Sequence, residues 1–508
     1  MMNRSLDVLF VSADSSAQAY QELSKSYAAI EPPTWALLLA QSCRAAGFGA
    51  AILDVGAERM TPEQAVARIG EGKPRLVCFV VYGQNPNSGT TNMIGATALA
   101  RLLKQTHPDL PICFVGSHTS ALPREVLALP EVDLILLNEG VYALRNLLRT
   151  DLRTDLDKVK GIGYKQDGVP VLTSPERVVP NDRMDEDLPG YAWDLLPYDR
   201  TPLDLYRAHF WHAEFNHDLR TPFATLYTSL GCKFKCDFCM INIVNRVDNA
   251  EGVASSGSPN MRFWSPAFML REFDKLAAMG VSTIRIADEM FFLNKNYYEP
   301  LLRGLAERDQ RFRMWTYSRV DTVRPQYLEL FHKAGINWLA LGVEAANQSI
   351  RREVSKGSFE EVDIRHIIKT VREAGLYVIS NYIFGFPDEK MENMQQTLQL
   401  ALELNTEMVN MYPCQALPGS PLYWTARNNG WKLPENYAGY AFLSYESEPL
   451  PTRYMSAAEV LRFRDNAWQA YFNHLPYLEL VEKTFGLQQR KNVEDMASIR
   501  LKRKLLGD

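Results

Sequence analysis

The stretch Gly231-Cys-Lys-Phe-Lys-Cys-Asp-Phe-Cys239 places three cysteines in one short loop, with an aromatic residue beside the last of them. This spacing allows Cys232, Cys236 and Cys239 to turn their thiols toward a single centre. Soft thiolate ligands select zinc, copper(I) or iron–sulfur clusters. A cubane [4Fe–4S] cluster has four irons, so three cysteines would leave one iron open to a substrate or cofactor. The residue chemistry therefore favours an open-site cluster.

Structural zinc and a disulfide are the alternatives for these cysteines. Structural zinc takes four protein ligands, usually as two closely spaced pairs. No second pair follows the loop, and the nearest histidines, His209, His212 and His217, lie upstream without matching spacing. A disulfide would leave one of the three clustered cysteines over. Both alternatives remain open at this point, although the spacing favours the cluster.

The pattern Cys-x-x-x-Cys-x-aromatic-Cys, which follows an apolar strand predicted over 223–230, resembles the signature of the radical S-adenosylmethionine (SAM) enzymes. The resemblance implies that Cys232, Cys236 and Cys239 bind a [4Fe–4S] cluster whose open iron chelates the amino and carboxylate groups of SAM. It further implies that the reduced cluster cleaves SAM to a 5′-deoxyadenosyl radical. An external one-electron reductant, such as flavodoxin or ferredoxin, is the partner that this chemistry requires.

The composition of the 508-residue chain is that of an ordinary soluble protein, with 46% hydrophobic and 23% charged residues. The net charge of −5 gives no basic excess that would indicate nucleic-acid binding. No apolar run reaches the roughly 18–20 residues of a membrane helix, and the N-terminus lacks the pattern of a signal peptide. The cysteines outside the loop are scattered, which fits a reducing compartment. We therefore expect a cytoplasmic protein that binds neither membrane nor nucleic acid.

Residues 6–150 alternate apolar strands with helical patterns, which predicts a doubly wound parallel sheet of Rossmann or flavodoxin type. The ligand crevice of such a sheet lies outside the carboxyl ends of its strands. The loops there, 81–89, 116–123 and 138–140, are small and polar. The predicted strands are 6–11, 50–54, 76–81, 112–115 and 133–137, and the predicted helices are 34–46, 61–69, 92–106 and 123–129.

Three segments of this region, 31–40, the loop that begins at Gly116, and 137–140, are similar to the cobalamin-binding domain that precedes many radical SAM barrels. The chain has no Asp-x-His-x-x-Gly motif, so the resemblance implies cobalamin bound base-off without a protein histidine. His118 is expected to be a solvated loop residue rather than a cobalt ligand. The residues expected to contact cobalamin are Tyr82, Gln84, Ser88, Gly116, Ser117, His118, Glu139 and Gly140.

A second strand–helix alternation runs from about 220 to 425, after a hairpin at 161–171 and an acidic, proline-punctuated linker. It predicts a partial (β/α) barrel, in which functional residues lie at the carboxyl ends of the strands. Nearly every predicted strand of this region ends in polar residues. Ordinary salt-bridged residues of a barrel rim would look similar, so both interpretations remain open. The polar strand ends include Asp288-Glu289, Ser318-Arg319, Glu344 and the segment 385–389.

The family resemblance assigns roles at these strand ends. Asp288 or Glu289 would hold the ammonium of SAM, and Arg319 would hold its carboxylate by a charge-assisted pair. Ser318 and Glu344 would contact the ribose or the amino group. The remaining expected SAM contacts are Gly385 and Pro387, where the backbone would approach the adenine closely. The catalytic residues that move protons are unknown from the sequence.

Residues 426–508 are predicted to form an appended helical region that could close the barrel mouth. Ser456 and Glu459 form a capping box for a helix to about 474, and further helices are expected over 477–485 and 492–506. Cys414 follows an apolar strand and is expected to be a small buried hydrophobe. The predicted domains are 1–150 (cobalamin-binding-like), 151–200 (hairpin and linker), 201–425 (radical SAM barrel) and 426–508 (helical).

The resemblance implies an enzyme that acts on a small molecule, a cobalamin-dependent radical SAM C-methyltransferase. The deoxyadenosyl radical would abstract hydrogen from an unactivated carbon, and the substrate radical would take a methyl group from methylcobalamin. The alternative is a non-methylating radical SAM enzyme that catalyses an oxidative rearrangement, cyclisation or dehydration, with cobalamin in a redox role or absent. A zinc-stabilised binding module without catalytic activity is the third possibility.

Overall fold

A computed structural model describes residues 6–197, 205–253, 261–356 and 363–508 of the chain. Its N-terminal half is a seven-stranded sheet in the order β2-β1-β3-β4-β5-β6-β7, of which the first five strands are parallel. Every residue of β3 is buried, as expected for an apolar strand covered on both faces. The strands are β1 (Val8–Ser12), β2 (Ala50–Asp54), β3 (Leu76–Val81), β4 (Ile112–Gly116), β5 (Leu134–Leu136), β6 (Ile162–Gln166) and β7 (Val169–Leu172).

The predicted doubly wound sheet is confirmed, and the hairpin of the predicted connector belongs to it. Strands β6 and β7 add antiparallel to β5, so the hairpin extends the sheet. The helix Pro62–Gly72 begins at a capping box formed by Thr61 and Gln64. The helices of this half are Ser16–Tyr20, Leu23–Ser26, Thr34–Ala45, Pro62–Gly72, Gly89–Thr106, Ser117–Ala121, Pro123–Ala128, Val141–Leu147 and Met184–Asp187.

The second half is the expected partial barrel, made of six parallel strands that each pair with the next along the chain. Strands β8 and β13 form its two edges, so the barrel is open on one side. The strands are β8 (Phe223–Leu226), β9 (Thr283–Ile286), β10 (Arg313–Arg319), β11 (Ile336–Glu344), β12 (Tyr377–Phe384) and β13 (Met408–Pro413). The helices around them are Pro266–Ala278, Lys295–Ala306, Leu328–Lys333, Gln348–Val354, Ile364–Glu373, Met391–Leu404 and Pro421–Asn428.

Two short antiparallel pairs flank the cysteine loop. Ser229–Leu230 pairs with Arg262–Phe263, and Lys235–Cys236 pairs with Ser355–Lys356. The predicted continuous strand over 223–230 is therefore wrong, because the chain leaves β8 after Leu226 and changes partner before the cysteine loop begins.

The C-terminal region is helical, as predicted, and covers the last strands of the barrel. Its helices are Ala457–Phe472, Leu475–Phe485 and Leu487–Ser498. Arg464 donates to the carbonyl of Met411 in β13 at 2.6 Å. The helix predicted over 492–506 is wrong, because the last helix ends at Ser498. Arg503 beyond it is buried and paired with Asp465 at 2.8 Å.

Two buried ion pairs join the halves of the molecule. Glu31, between the N-terminal helices, pairs with Arg285 of β9 at 2.8 Å, and Glu139, after β5, pairs with Arg262 at 2.7 Å. All four side chains are at most 4% exposed. In the part of the chain that the structure describes, no helix has both the length and the apolar character needed to cross a membrane.

Candidate functional site

A cavity of about 870 Å³ lies between the two halves of the molecule. The carboxyl ends of β1, β2 and β3 face it from one side, and those of β9 to β13 face it from the other. The C-terminal helices close a further wall with residues such as Trp468 and Gln469. The N-terminal lining includes Ser12, Asp54, Tyr82, Gln84 and Asn85, and the barrel lining includes Glu289, Ser318, Arg319, Glu344 and Asn410.

The cysteine loop is held by backbone hydrogen bonds to one side chain. Asn242 accepts from the amide of Cys232 at 3.0 Å and donates to the carbonyl of Phe234 at 2.9 Å. The amide of Cys239 bonds the carbonyl of Cys236 at 3.2 Å, which closes the turn between them. All three cysteines are partly buried free thiols. The loop therefore presents its thiols from a fixed backbone, with Phe238 at the cavity wall.

Because they are buried, these thiols would ionise to thiolates only weakly unless a positively charged metal centre were bound to them. It raises the pKa of Cys232 to about 12 and that of Cys239 well above its usual value, and the neighbouring cysteines add to both shifts. A metal site removes this penalty because its positive charge favours the thiolates. Among the described residues, no three His, Cys, Asp or Glu side chains converge closely enough for a single metal ion. In a [4Fe–4S] cluster each cysteine would bind a different iron, so the three thiols of the loop would be ligands to three of the four irons.

The two carboxylates that follow β9 have different surroundings. Asp288 is 1% exposed and does not line the cavity. It accepts from the amide and hydroxyl of Thr228 at 2.6 and 2.7 Å and from the hydroxyl of Ser229 at 2.5 Å. Glu289 lines the cavity, and burial raises its pKa to about 7. Within the described ranges, its Oε1 has no hydrogen-bond partner. Of the two, Glu289 is the carboxylate placed to receive a cationic group.

Arg319, at the end of β10, connects the cavity to the cysteine loop. Its guanidinium carbon lies 3.8 Å from the ring centroid of Phe234, and its Nε donates to Asp321 at 2.9 Å. Glu344 also lines the cavity, and burial raises its pKa to about 7 although the charge of Arg319 opposes the shift. Ser318 shares a hydrogen bond with Thr322 at 2.7 Å. Three predicted SAM contacts, Ser318, Arg319 and Glu344, therefore lie together in the cavity wall.

Gly385 and Pro387 lie outside the cavity lining. The amides of Gly385 and Phe386 donate to Glu389 at 2.8 and 3.1 Å. Gly385 has φ +87°, and a Cβ there would lie 2.4 Å from Val460 in the C-terminal helix Ala457–Phe472. Packing against this helix therefore accounts for the glycine.

The expected cobalamin contacts divide into two groups. Tyr82, Gln84 and Ser88 line the cavity, and the hydroxyl of Tyr82 donates to the carbonyl of Asn138 at 2.6 Å. The ring centroid of Trp35 lies 4.5 Å from that of Tyr82, and the two rings form an apolar surface in the cavity wall. Gly116, Ser117, His118, Glu139 and Gly140 do not line the cavity.

His118 is buried, so its prediction as a solvated loop residue is wrong. It lies in the helix Ser117–Ala121, where its Nδ1 is 3.0 Å from the hydroxyl of Thr90 and its Nε2 is 3.3 Å from Glu125. Its side chain is 1% exposed, because this short helix packs against the longer helix Gly89–Thr106. Glu139 is likewise engaged, in the ion pair with Arg262.

Several cavity residues were not anticipated from the sequence. Asp14 follows β1, Asp54 is the last residue of β2, and Gly56 follows it. The rule that ligands bind at the carboxyl ends of parallel strands would have identified all three. Cys414 is buried, as expected, and also borders the cavity.

Glu31 also lines the cavity and lies at the centre of a second group of residues that the sequence did not predict. It accepts hydrogen bonds from Arg285, Thr225 and His209 at 2.8, 2.8 and 3.0 Å. Burial alone would raise the pKa of Glu31, but Arg285 and these hydrogen bonds outweigh it and hold the pKa at about 2.

Comparison with protein families shows two matched domains. Residues 226–401 match the model of the radical SAM superfamily, and residues 23–148 match that of the B12 binding domain. The cysteine loop lies at the start of the first match, and the cavity-facing ends of β1 to β3 belong largely to the second.

Among curated proteins, the chain is 24% identical over 357 residues to an uncharacterized methyltransferase of Pyrococcus horikoshii, covering 69% of this chain and 70% of that one. It is 25% identical over 411 residues to the anaerobic magnesium-protoporphyrin IX monomethyl ester cyclase of Rubrivivax gelatinosus, covering 77% of this chain and 66% of that one. The chain thus spans about two thirds of the length of these relatives.

Among solved structures, the fold is similar to that of the radical SAM methyltransferase TsrM from Kitasatospora setae with cobalamin and a [4Fe–4S] cluster bound. The TM-score is 0.65 at 16% identity, and the match covers 94% of this chain and 90% of that one. OxsB, a cobalamin-dependent SAM radical enzyme, gives a TM-score of 0.66 at 17% identity, covering 97% of this chain and 70% of that one. At these identities the likeness establishes the fold.

Proposed function

We propose that this chain, which combines matches to the B12 binding domain and to the radical SAM superfamily, is a cobalamin-binding radical SAM enzyme that methylates an unactivated carbon of a small molecule. A radical SAM domain implies a [4Fe–4S] cluster and SAM, and a B12-binding domain implies cobalamin. The observation that carries the proposal is the single cavity of about 870 Å³, which both sets of strand ends face. When bound, the cluster with SAM supplies a 5′-deoxyadenosyl radical, and cobalamin supplies the methyl group.

Residues of the barrel would hold the first two cofactors. Cys232, Cys236 and Cys239 are the proposed cluster ligands. Glu289 would accept the ammonium of SAM, because its buried carboxylate has an oxygen without a partner among the described residues. Arg319 would contribute positive charge toward the SAM carboxylate while it stays fixed by Asp321 and by the ring of Phe234.

Residues of the N-terminal sheet would hold cobalamin. Tyr82 and Trp35 form an apolar surface at the end of β3, and Gln84 and Ser88 add polar groups beside it. The other five predicted contacts do not line the cavity, so we propose that they hold the cavity-lining loops in position. They are Gly116, Ser117, His118, Glu139 and Gly140. The two buried interdomain ion pairs would fix the distance between the cofactors, since each half carries one charge of each pair.

An electron donor is part of the proposal, because the cluster must be reduced before SAM can be cleaved. A flavodoxin or ferredoxin would supply one electron, and a reducing, cytoplasmic setting would suit the seven free cysteines. The division of the chain into domains at residues 150, 200 and 425 likewise stays a prediction.

Anaerobic reconstitution with iron, sulfide and hydroxocobalamin tests the assignment without a known substrate. The protein is then reduced and incubated with SAM that carries a labelled methyl group. We expect about four irons and one cobalamin per chain, together with 5′-deoxyadenosine and labelled methylcobalamin. Deoxyadenosine without labelled methylcobalamin would contradict methylation and point to a non-methylating radical reaction instead. One tightly bound zinc and no iron–sulfur absorbance would contradict the enzyme assignment as a whole.

A further inference from the structure

One end of the cavity, which we call the aromatic end, is lined by Tyr20, His209, Trp211, Trp315 and Tyr317. The ring of His209 stacks on Trp211 at 5.3 Å with an interplanar angle of 11°. Trp211 meets Trp315 edge to face at 4.8 Å, and Trp315 meets Tyr317 in the same way at 4.8 Å. These contacts fix the rings in place, so the aromatic end is a preformed apolar surface.

The charge on this surface lies behind the rings. Arg285 is 1% exposed and does not line the cavity, and its guanidinium carbon lies 4.9 Å from the ring of Trp315 and 5.3 Å from that of Tyr317. Glu31 neutralises it through two hydrogen bonds of 2.8 Å. Among the described residues, the lining of the aromatic end includes no lysine or arginine, and Arg285 behind it is paired with Glu31, so this surface does not favour an anionic group.

His209 is one of the polar groups at the aromatic end, beside the hydroxyls of Tyr20 and Tyr317, and its tautomer follows from its partners. Its Nε2 lies 3.0 Å from Oε1 of Glu31, which is ionised because its pKa is about 2. Burial lowers the pKa of His209, and Arg285 already balances the charge of Glu31. A neutral imidazole whose Nε2 donates to a carboxylate has its lone pair on Nδ1.

Among the described residues, the hydrogen bond of this ring is the one at Nε2, and none is formed at Nδ1. The side chain lines the cavity and is 22% exposed. Apolar pockets fix the orientation of a ligand through a few polar groups of this kind. A ligand that covered Nδ1 without donating to it would lose the hydrogen bond that water makes there.

We infer that the aromatic end binds a flat, apolar group of the substrate that carries an O–H or N–H, and that this group donates its hydrogen to Nδ1 of His209. The inference rests on the proposed function, because it names the class of substrate that the proposed enzyme would take. It makes His209 a residue that determines specificity, and Glu31 the residue that positions it.

Two matched probes test the inference on the reconstituted enzyme with cluster and cobalamin bound. para-Fluorophenol carries the hydroxyl, and para-fluoroanisole replaces its hydrogen with a methyl group. Their affinities are measured by fluorine NMR line broadening. The wild type should bind the phenol roughly two- to twelvefold more tightly, the range that one hydrogen bond supplies. His209→Phe should reduce this ratio to about one while keeping the aromatic surface, and His209→Gln, which restores an acceptor, should recover part of it.

His217→Phe is the matched control. His217 belongs to the same segment and stacks on Phe210 at 4.8 Å, yet it does not line the cavity, so this variant should keep the wild-type ratio. An unchanged ratio in His209→Phe, or no preference in the wild type, would overturn the inference. Iron content, cobalamin content and SAM cleavage are measured on the same samples. If the protein lacks the cluster, cobalamin or SAM cleavage but still prefers the phenol, the proposed function is wrong, while the inferred binding of an O–H or N–H group at the aromatic end is retained.

Discussion

Nη1 of Arg285 lies 2.8 Å from each carboxylate oxygen of Glu31, across the boundary between the N-terminal half and the barrel. Thr225 is the register partner of Arg285 on the neighbouring strand and donates to the same carboxylate. The contact therefore connects the first two barrel strands to the N-terminal half of the molecule.

Glu31→Gln should destabilise the protein strongly, because it leaves Arg285 buried without a counter-charge. The expected loss is about 3–5 kcal/mol in the free energy of unfolding, followed by calorimetry. Glu22→Gln is the control, since Glu22 and its partner Lys25 are 67% and 71% exposed, and should cost less than about 0.5 kcal/mol. The double variant Glu31→Gln/Arg285→Met should recover part of the loss. Equal effects of Glu31→Gln and Glu22→Gln would refute the role of the pair.

Neutralising the two neighbouring carboxylates after β9 should give opposite results. Glu289→Gln should weaken SAM binding roughly 10- to 100-fold, the value of a hydrogen bond to a charged group, with little change in melting temperature. Asp288→Asn should lower the melting temperature, because Asp288 accepts three hydrogen bonds from Thr228 and Ser229. Calorimetric titration with SAM and thermal melts of both variants separate the effects. Weaker SAM binding in Asp288→Asn alone would reverse the assignment.

Gly385→Ala should disturb the contact between the barrel and the C-terminal region. The new Cβ would lie 2.4 Å from Val460, and φ +87° is unfavourable for any side chain. Gly375→Ala is a matched control, since Gly375 has φ +82° but its nearest neighbour, His332, would lie at 3.6 Å. The control should cost about 1–2 kcal/mol for backbone strain, and Gly385→Ala about 1–3 kcal/mol more for overpacking.

Truncation of Val460 to alanine separates the cost of the steric clash at residue 385 from the cost of backbone strain there. In Gly385→Ala/Val460→Ala the steric clash is removed, so Val460→Ala should destabilise the Gly385→Ala variant less than it destabilises the wild type. Denaturant unfolding of the four proteins in this cycle measures the coupling. Purely additive costs would show that Val460 does not limit the space at residue 385.

The stability of the protein should fall in mild acid because His212 is buried in its neutral form. Its side chain is 1% exposed, and burial, together with the charge of Arg313, lowers its pKa well below the usual value. Below about pH 6.5 the imidazole of His212 takes up a proton in the unfolded state but not in the folded state. The free energy of unfolding therefore decreases as the pH falls below that value. Melting temperatures between about pH 7 and pH 5 should fall less steeply in His212→Phe than in the wild type.

The exposed His366 provides the control for this pH effect. His366→Phe should leave the slope of melting temperature against pH unchanged, because folding leaves the side chain of His366 exposed to solvent. If His212→Phe keeps the wild-type slope, the acid sensitivity arises from other groups.

The parallel strands of both sheets were predictable from the sequence, because apolar strands alternate with amphipathic helices in both halves. The cysteine loop was equally readable, since its ligands are close in sequence. The network around Glu31 was not, because its partner Arg285 is 254 residues away and is an unremarkable strand residue in the sequence. Such contacts depend on how the two halves of the molecule pack together.

The sequence also could not distinguish which of two adjacent residues belongs to the site. Successive side chains on extended backbone point to opposite sides, so the sequence could not tell which of Asp288 and Glu289 faces the cavity. The burial of His118 depends on packing between two helices. The helix that was predicted to continue to residue 506 ends early because Arg503 pairs with Asp465, a contact of the folded state alone.

Electron paramagnetic resonance of the loaded enzyme tests most directly whether one cavity holds both cofactors. The spin relaxation of cob(II)alamin is measured with the cluster oxidised and with it reduced. We predict faster relaxation when the cluster is reduced, because a nearby paramagnet relaxes the cobalt spin, and no change in the Cys232→Ala/Cys236→Ala/Cys239→Ala variant. Identical relaxation in the reduced wild type and in this cluster-free variant would contradict a shared cavity.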